Sequence, residues 1–384
     1  MKDSNCNFSK WVAFWGNATS ISNREIQTYS KDLTLRYPIY VCFNGNKLRF
    51  HFSNFTGTED VKITKAFVTV KNDEYNPISI LFNGEKNGII PAGKEILSDE
   101  VEISIKAGDT IDVSMYFADF TQMNAGTLVT GPLSKGTFAY GDFSEVEKID
   151  INYSKATNWF YFLNTVDIFT ENKNRAIICY GDSITAQSWP DYLTLKIKEE
   201  GIKNTAVIRR AVCGTRILRQ YDCITYQAYG LKGETRFNNE TEVSGADTVI
   251  IQHGINDIIH PVGTDVNVFR PMSDMPSVED LISGFEKLYV SCAKAKGLKI
   301  IGGTLLPIKG WRTYADFRED VRTDFNQYLR SIDKTDGLID FDKAVRCESD
   351  IYKFKDGFDS GDHLHPSEKA YKVMAEEAFK VIFG

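Results

Sequence analysis

From about residue 34 to residue 145 the chain alternates apolar and polar positions in short runs: LRYPIYVCF, KLRFHFSNF, VKITKAFVTV, EVEISI and TIDVSMYF. The runs are separated by NGN, GTED, NDEYNP, NGEKNG and KAGD. A period of two is that of a half-buried strand, and clusters of Gly, Asn and Asp punctuate such strands. Asn44-Gly45 and Asn83-Gly84 predict tight turns between strands, because these residues tolerate the positive φ of a two-residue hairpin. The front of the chain is therefore expected to be an antiparallel β-sandwich. Phe43, Phe50, Phe52, Phe55 and Phe67 fall mostly on strand patterns and read as its core.

Beyond Arg175 the rhythm changes. Continuous apolar runs, AIICYG (176–181), NTAVIRRAV (204–212), DTVIIQHG (247–254), LKIIGGTLL (298–306) and GLIDF (337–341), alternate with amphipathic segments of helical period. The latter include WPDYLTLKIKEE, SVEDLISGFEKLYVSCAKAKG, DFREDVRTDFNQYLRSI and the closing SEKAYKVMAEEAFKVI. Strands joined through helices form a parallel sheet covered on both faces. The pattern divides the chain into an accessory β-domain, 1–172, and an α/β domain, 173–384. In such sheets binding sites form at the carboxyl ends of the strands.

Composition narrows the chemistry. The net charge is −7, with Lys and Arg scattered among acids, so no basic stripe exists to hold nucleic acid. No apolar run approaches the ~20 residues that span a bilayer, and the start, MKDSNCNFSKWVAFWG, lacks the apolar core of an export signal. A cytoplasmic protein without membrane partners is the expectation, with secretion left open if a leader has been removed. The seven cysteines (6, 42, 179, 213, 223, 292, 347) form no Cys-x-x-Cys pair and suit a reducing compartment. The five histidines (51, 253, 260, 363, 365) show no zinc-ligand spacing with them, so no metal and no cofactor is expected.

Four polar elements follow strands on one edge of the expected sheet. Ser183, in YGDSITAQSWPDYL, follows the first strand, Gly214 in AVCGTRIL the second and Asn256 in HGIND the third. Asp362 and His365, in GDHLHPSEKAY, follow the fifth. Each alone is an ordinary turn residue. Together they supply a hydroxyl, an imidazole and a carboxylate beside candidate N–H donors.

In these blocks the sequence resembles the SGNH hydrolase superfamily, the GDSL esterases and lipases: GDSI at 181–184, Gly214, GIND at 254–257, and Asp362 with His365. The resemblance covers 176–384. It extends more weakly to the front half, which looks like the β-domain (a jelly-roll-like sandwich) of one bacterial branch. It implies a flavodoxin-like three-layer α/β/α catalytic domain with a five-stranded sheet. It implies Ser183 as nucleophile, His365 as base and Asp362 as its orienting acid. The oxyanion donors it implies are the N–H groups of Ser183 and Gly214 and the side-chain amide of Asn256. Ile184 and Thr215 depart from the usual pattern, and neither is expected to touch a catalytic atom. Asp182 and Asp257 read as loop-shaping residues, and Pro366 as the first residue of the last helix.

His363 lacks the motif spacing and reads as a loop or pocket-wall residue. His253 reads as structural, and His260 is placed near the pocket. Tyr221, Tyr226 and Tyr229 stand close together, either as surface packing or as a pocket wall, and Trp189 is either core or pocket. Trp189, Tyr221, His260 and His363 are thus the candidate substrate-pocket residues.

The resemblance implies an acyl-enzyme esterase acting on short, acetyl-like esters of a carbohydrate or small alcohol. An acyltransferase using the same intermediate, and a carbohydrate-binding protein with a relic hydrolase half, stand as alternatives. Acyl length, alcohol and oligomeric state are left open.

Overall fold

The computed structural model describes residues 7–21, 29–71 and 75–384. Cys6 and the first residues of the NDEYNP turn, 72–74, lie outside the described residues. The chain forms two compact units: 1–176 with 201–208 and 243–246, and 177–200 with 209–242 and 247–384.

The first unit is built on antiparallel sheets. One runs in the order Phe8–Gly16, Leu163–Glu171, Gly45–Ser53, Glu95–Leu97, with Val101–Ile105 also paired to Gly45–Ser53. The other runs Ser154–Thr157, Gly136–Tyr140, Leu33–Tyr40, Thr110–Phe117, Lys65–Val70, Ile78–Ile80. Register puts Val113 opposite Tyr37 on one side and Val68 on the other, and all three are fully buried. Such cross-strand apolar ladders are what stabilise a sheet face. Phe43, Phe50, Phe52 and Phe67 are buried as the alternation predicts, and Phe55 is half-buried.

Of the two predicted turns, one forms. Asn83 and Gly84 both have positive φ, and Phe82 and Glu85 exchange backbone hydrogen bonds across them. Asn44-Gly45 makes no hairpin, because the strands it separates, Leu33–Tyr40 and Gly45–Ser53, belong to different sheets. Asn44 instead caps another loop, its side-chain oxygen accepting the N–H of Ala107 at 2.9 Å.

The parallel sheet has the order Thr205–Ala211, Arg175–Gly181, Ala246–Gln252, Lys299–Gly303, Gly337–Ile339. In chain order this is 2-1-3-4-5. The strand order reverses between the first and third strands, and a doubly wound sheet opens its crevice at that point. The apolar strands are buried on both faces: Ile177, Ile178, Cys179, Val249, Ile250 and Ile251 have no exposed surface.

The helices follow the predicted periods. Ser277 and Asp280 form a capping box ahead of Val278–Gly284, which continues through a wider turn at Phe285–Val290 into Ser291–Ala295. In the last helix, Glu368–Phe383, Tyr371, Met374, Ala375 and Ala378 are buried, while Phe379 and Ile382 are half-buried. Among the described residues no helix is long and apolar enough to cross a membrane.

Candidate active site

The first strand of the parallel sheet ends at Gly181, where a Cβ would lie 2.4 Å from the carbonyl oxygen of Gln252 on the neighbouring strand. Only glycine lets the strands approach so closely here. The chain turns directly into the short helix Ser183–Ala186, whose N-cap, Asp182, accepts the N–H of Ile184 at 3.0 Å. Ser183 is thereby held at the strand end, 9% exposed.

Ser183 Oγ lies 2.9 Å from His365 Nε2, and His365 Nδ1 lies 2.6 Å from Asp362 Oδ2. With Nδ1–H donating to the carboxylate, Nε2 is the acceptor for the serine hydroxyl, so one tautomer satisfies both contacts. The other oxygen of Asp362 accepts the backbone N–H groups of Leu364 and His365, at 2.9 and 2.8 Å. Burial pulls the Asp362 pKa upward. The hydrogen bonds from the His365 ring and from these two N–H groups outweigh it and hold the carboxyl well below the usual carboxylate range.

The neighbouring histidine goes to a different acid. His363 Nδ1 lies 2.5 Å from Asp359, which also accepts the His363 N–H at 2.9 Å. Its backbone has φ +63°, and its ring covers Gly310. The loop thus carries two aspartate–histidine pairs, and only the second meets the serine. Pro366 lies two positions before the first helical residue rather than at it, since Ser367 is the N-cap and Glu368 opens the helix.

Gly214 follows the second strand with φ +81°, and a Cβ on it would lie 2.3 Å from the Tyr229 ring. Glycine is required twice over, by conformation and by the tyrosine packed against it. Asn256 sits in the buried helix Ile255–Ile259 after the third strand, 3% exposed, with Nδ2 donating to the carbonyl of Thr215 at 3.0 Å. Thr215, expected to stand clear of these residues, therefore touches one of them. Asp257 accepts the N–H groups of Ile217 and Leu218 at 2.7 and 3.0 Å, clamping the segment that leaves Gly214. Burial raises the pKa of Asp182 to about 7 and that of Asp257 to about 6, each partly offset by its backbone donors.

The four pocket candidates separate. Trp189 has no exposed surface and packs 5.3 Å from Phe341, so it belongs to the core and not to a pocket wall. His260 is 6% exposed and lies under the rings of Tyr229 and Tyr221, at 5.1 and 5.8 Å. Burial first, then the nearby arginine charges, push its pKa far down, so the ring is neutral. His253 is structural, its Nδ1 2.7 Å from the Tyr289 hydroxyl.

Tyr221 lines a cavity of about 690 Å³ together with Arg216, Arg219, Gln220, Asp222 and Asp274, among others. Neither Trp189, His260 nor His363 lines it. Asp274 joins two of its arginines, at 3.2 Å to Arg216 and 3.3 Å to Arg219, and the Arg216 guanidinium stacks 4.4 Å from the Tyr221 ring centre. Among the described residues no cluster of three or more His, Cys, Asp or Glu is placed to hold a metal ion.

Two contacts at the site were not read from the sequence, which offered Tyr229 only as surface packing or a pocket wall and gave no role to Glu368. Tyr229 fixes the glycine loop, and Glu368 accepts hydrogen bonds from Ser188 and Tyr192, each at 2.7 Å. Both act across long sequence separations that neither motif nor period encodes.

A parallel 2-1-3-4-5 sheet thus carries a serine, a histidine and an aspartate hydrogen-bonded in series at its crevice, and the family to which the chain belongs makes it a carboxylic ester hydrolase of the α/β/α class. The chain belongs to the GDSL-like lipase/acylhydrolase family, whose model matches residues 179–373, just over half of its length. Among solved structures it is similar to the lipase/acylhydrolase from Enterococcus faecalis, with 21% identity and a TM-score of 0.38 over 54% of this chain and 94% of that one. It is also similar to a member of the lipolytic G-D-S-L family from Veillonella parvula, with 20% identity and a TM-score of 0.33 over 54% and 97%. An acetylxylan esterase from Geobacillus stearothermophilus is 15% identical, with a TM-score of 0.38 over 54% and 93%. No curated protein matches the chain.

Proposed function

We propose that this ester hydrolase removes short acyl groups, acetyl foremost, from a carbohydrate or small polyhydroxylated alcohol through an acyl-enzyme on Ser183. The observation that carries the reading is the unbroken series Ser183 Oγ, His365 Nε2, His365 Nδ1, Asp362 Oδ2, with contacts of 2.9 and 2.6 Å. Ser183 Oγ attacks the ester carbonyl carbon while its proton passes to His365 Nε2, and Asp362 stabilises the imidazolium that results. The negative oxygen of the tetrahedral intermediate is met by the N–H groups of Ser183 and Gly214 and by the amide of Asn256, each donor worth about 3 kcal/mol in the barrier. Collapse breaks the bond to the alcohol oxygen, which leaves with the proton from His365. Water then repeats the sequence, with His365 taking its proton, and releases the acid and free Ser183.

None of Ser183, Gly214, Asn256, Asp362 and His365 lines the cavity around Tyr221, so the choice of alcohol rests on the family resemblance of the sequence. The test is a rate comparison over acetyl, butyryl and octanoyl esters beside acetylated sugars, with Ser183→Ala as control. Acetyl esters are expected to be turned over fastest, and Ser183→Ala is expected to abolish p-nitrophenyl acetate turnover while remaining folded. Retained activity in that variant overturns the assignment, and a preference for octanoyl esters overturns the substrate class.

A further inference from the structure

We propose that Thr215 is a positioning residue for the oxyanion site, acting through Asn256; the inference rests on the role proposed for Asn256 above. Thr215 follows Gly214 directly and is 1% exposed. Its carbonyl oxygen accepts Asn256 Nδ2 at 3.0 Å and lies 3.0 Å from His253 Nε2. Its hydroxyl donates to the carbonyl of Val212 at 3.0 Å, accepts Arg236 Nη1 at 2.9 Å, and also lies 3.0 Å from His253 Nε2.

Every hydrogen in this cluster has a single consistent place. Burial and the Arg236 charge hold His253 neutral, so its ring carries one N–H. A carbonyl oxygen only accepts, so that N–H sits on Nε2, shared between the two oxygens of Thr215. Nδ1 then accepts the Tyr289 hydroxyl at 2.7 Å. Arg236 is itself fixed, donating to Glu240 at 2.8 Å in a buried ion pair. The Thr215 peptide is therefore anchored on its side-chain edge by three buried groups, His253, Arg236 and the Val212 carbonyl.

The consequence falls on Asn256. A carboxamide presents either NH₂ or C=O with nearly the same shape, and only the NH₂ end attracts an oxyanion. Because the Thr215 carbonyl cannot donate, the nitrogen of Asn256 must face it. One N–H is used there, and the second remains for the reacting oxygen. Gly214, with φ +81° and no side chain, adds little stiffness of its own, so the carbonyl that orients Asn256 depends on the hydroxyl beside it. Valine has nearly the shape of threonine but strands the Arg236 Nη1 donor and leaves the Val212 carbonyl only the backbone N–H of residue 215, at 3.4 Å.

The experiment is a mutant cycle on the full chain with p-nitrophenyl acetate. Thr215→Val is expected to lower kcat about tenfold with KM little changed, the split of an interaction realised in the transition state. Thr215→Ser, which keeps the hydroxyl, is expected to restore most of it. In an Asn256→Ala background Thr215→Val is expected to cost little more, because the two act as one unit. If Thr215→Val does not fold, Thr215→Ala is read in its place. An unchanged kcat in Thr215→Val, or losses that simply multiply in the double variant, overturns the proposal while a large loss in Asn256→Ala keeps the esterase reading intact. Retained turnover in Ser183→Ala overturns that reading and the proposal with it, and full turnover in Asn256→Ala overturns the proposal alone.

Discussion

Ser188 donates a hydrogen bond to Glu368 at 2.7 Å, and Tyr192 donates one to the other oxygen of the same carboxylate, also at 2.7 Å. Ser188 and Tyr192 belong to the turn and helix that follow Ser183, and Glu368 opens the helix that follows His365. One side chain thus ties the segment of Ser183 to the segment of His365. Glu368→Ala should lower stability by about 1–2 kcal/mol, the value of two charge-assisted hydrogen bonds near the surface. It should also lower kcat severalfold by loosening the Ser183–His365 distance. Thermal melts and esterase kinetics on the same preparation check both.

Gly214→Ala meets two separate obstacles. The new methyl strikes the Tyr229 ring, and alanine at φ +81° is strained whatever the space around it. A loss of about 2 kcal/mol or more and at least a tenfold fall in kcat are expected. Adding Tyr229→Ala should remove the collision and leave the backbone strain, so the double variant should recover part of the stability but not all of it. Full recovery by that second change would show that φ is unimportant.

Asp182 governs part of the pH dependence of stability. Burial raises its folded pKa to about 7, above an unfolded value of about 3.9. Between those values the folded state binds the proton that the unfolded state has released, so stability falls as pH rises, by at most about 1.4 kcal/mol per pH unit. Asp182→Asn keeps an oxygen for the Ile184 N–H and removes the titration. Its melting temperature relative to the unaltered protein should therefore rise steadily from pH 4 to pH 7. A difference that does not change with pH would show that Asp182 stays ionised in the fold.

Trp189 separates a core role from a contact with substrate. Buried completely against Phe341, it should behave as packing, with Trp189→Ala costing about 3–5 kcal/mol. The KM for p-nitrophenyl acetate, measured well below the melting point, should be unchanged. A raised KM with an unshifted melting temperature would put the indole in the binding site.

Much of the site was legible in the linear chain because a parallel sheet sends the end of every strand to the same edge. Once AIICYG, DTVIIQHG and GLIDF were read as strands, Ser183, Asn256 and the Asp362–His365 loop had to share a rim. Asp362 and His365 sit within one loop whose hydrogen bonds are local, so their pairing was legible too. The Asn44-Gly45 turn was misread because turn propensity reports a permitted dihedral and not which strand comes next, and here the chain crosses to another sheet.

By itself the sequence determined the alternation of strand and helix and the edge on which Ser183, Asn256 and the Asp362–His365 loop gather, since these follow from period, while its family resemblance named the candidate nucleophile, base and orienting acid. Only the tertiary structure decided that Trp189 is core, that His363 belongs to Asp359, that Tyr229 fills the space Gly214 leaves, and that Thr215 holds Asn256. Those assignments depend on side chains far apart in the chain competing for the same volume and the same hydrogen bonds, and that competition is resolved only when the strands are packed.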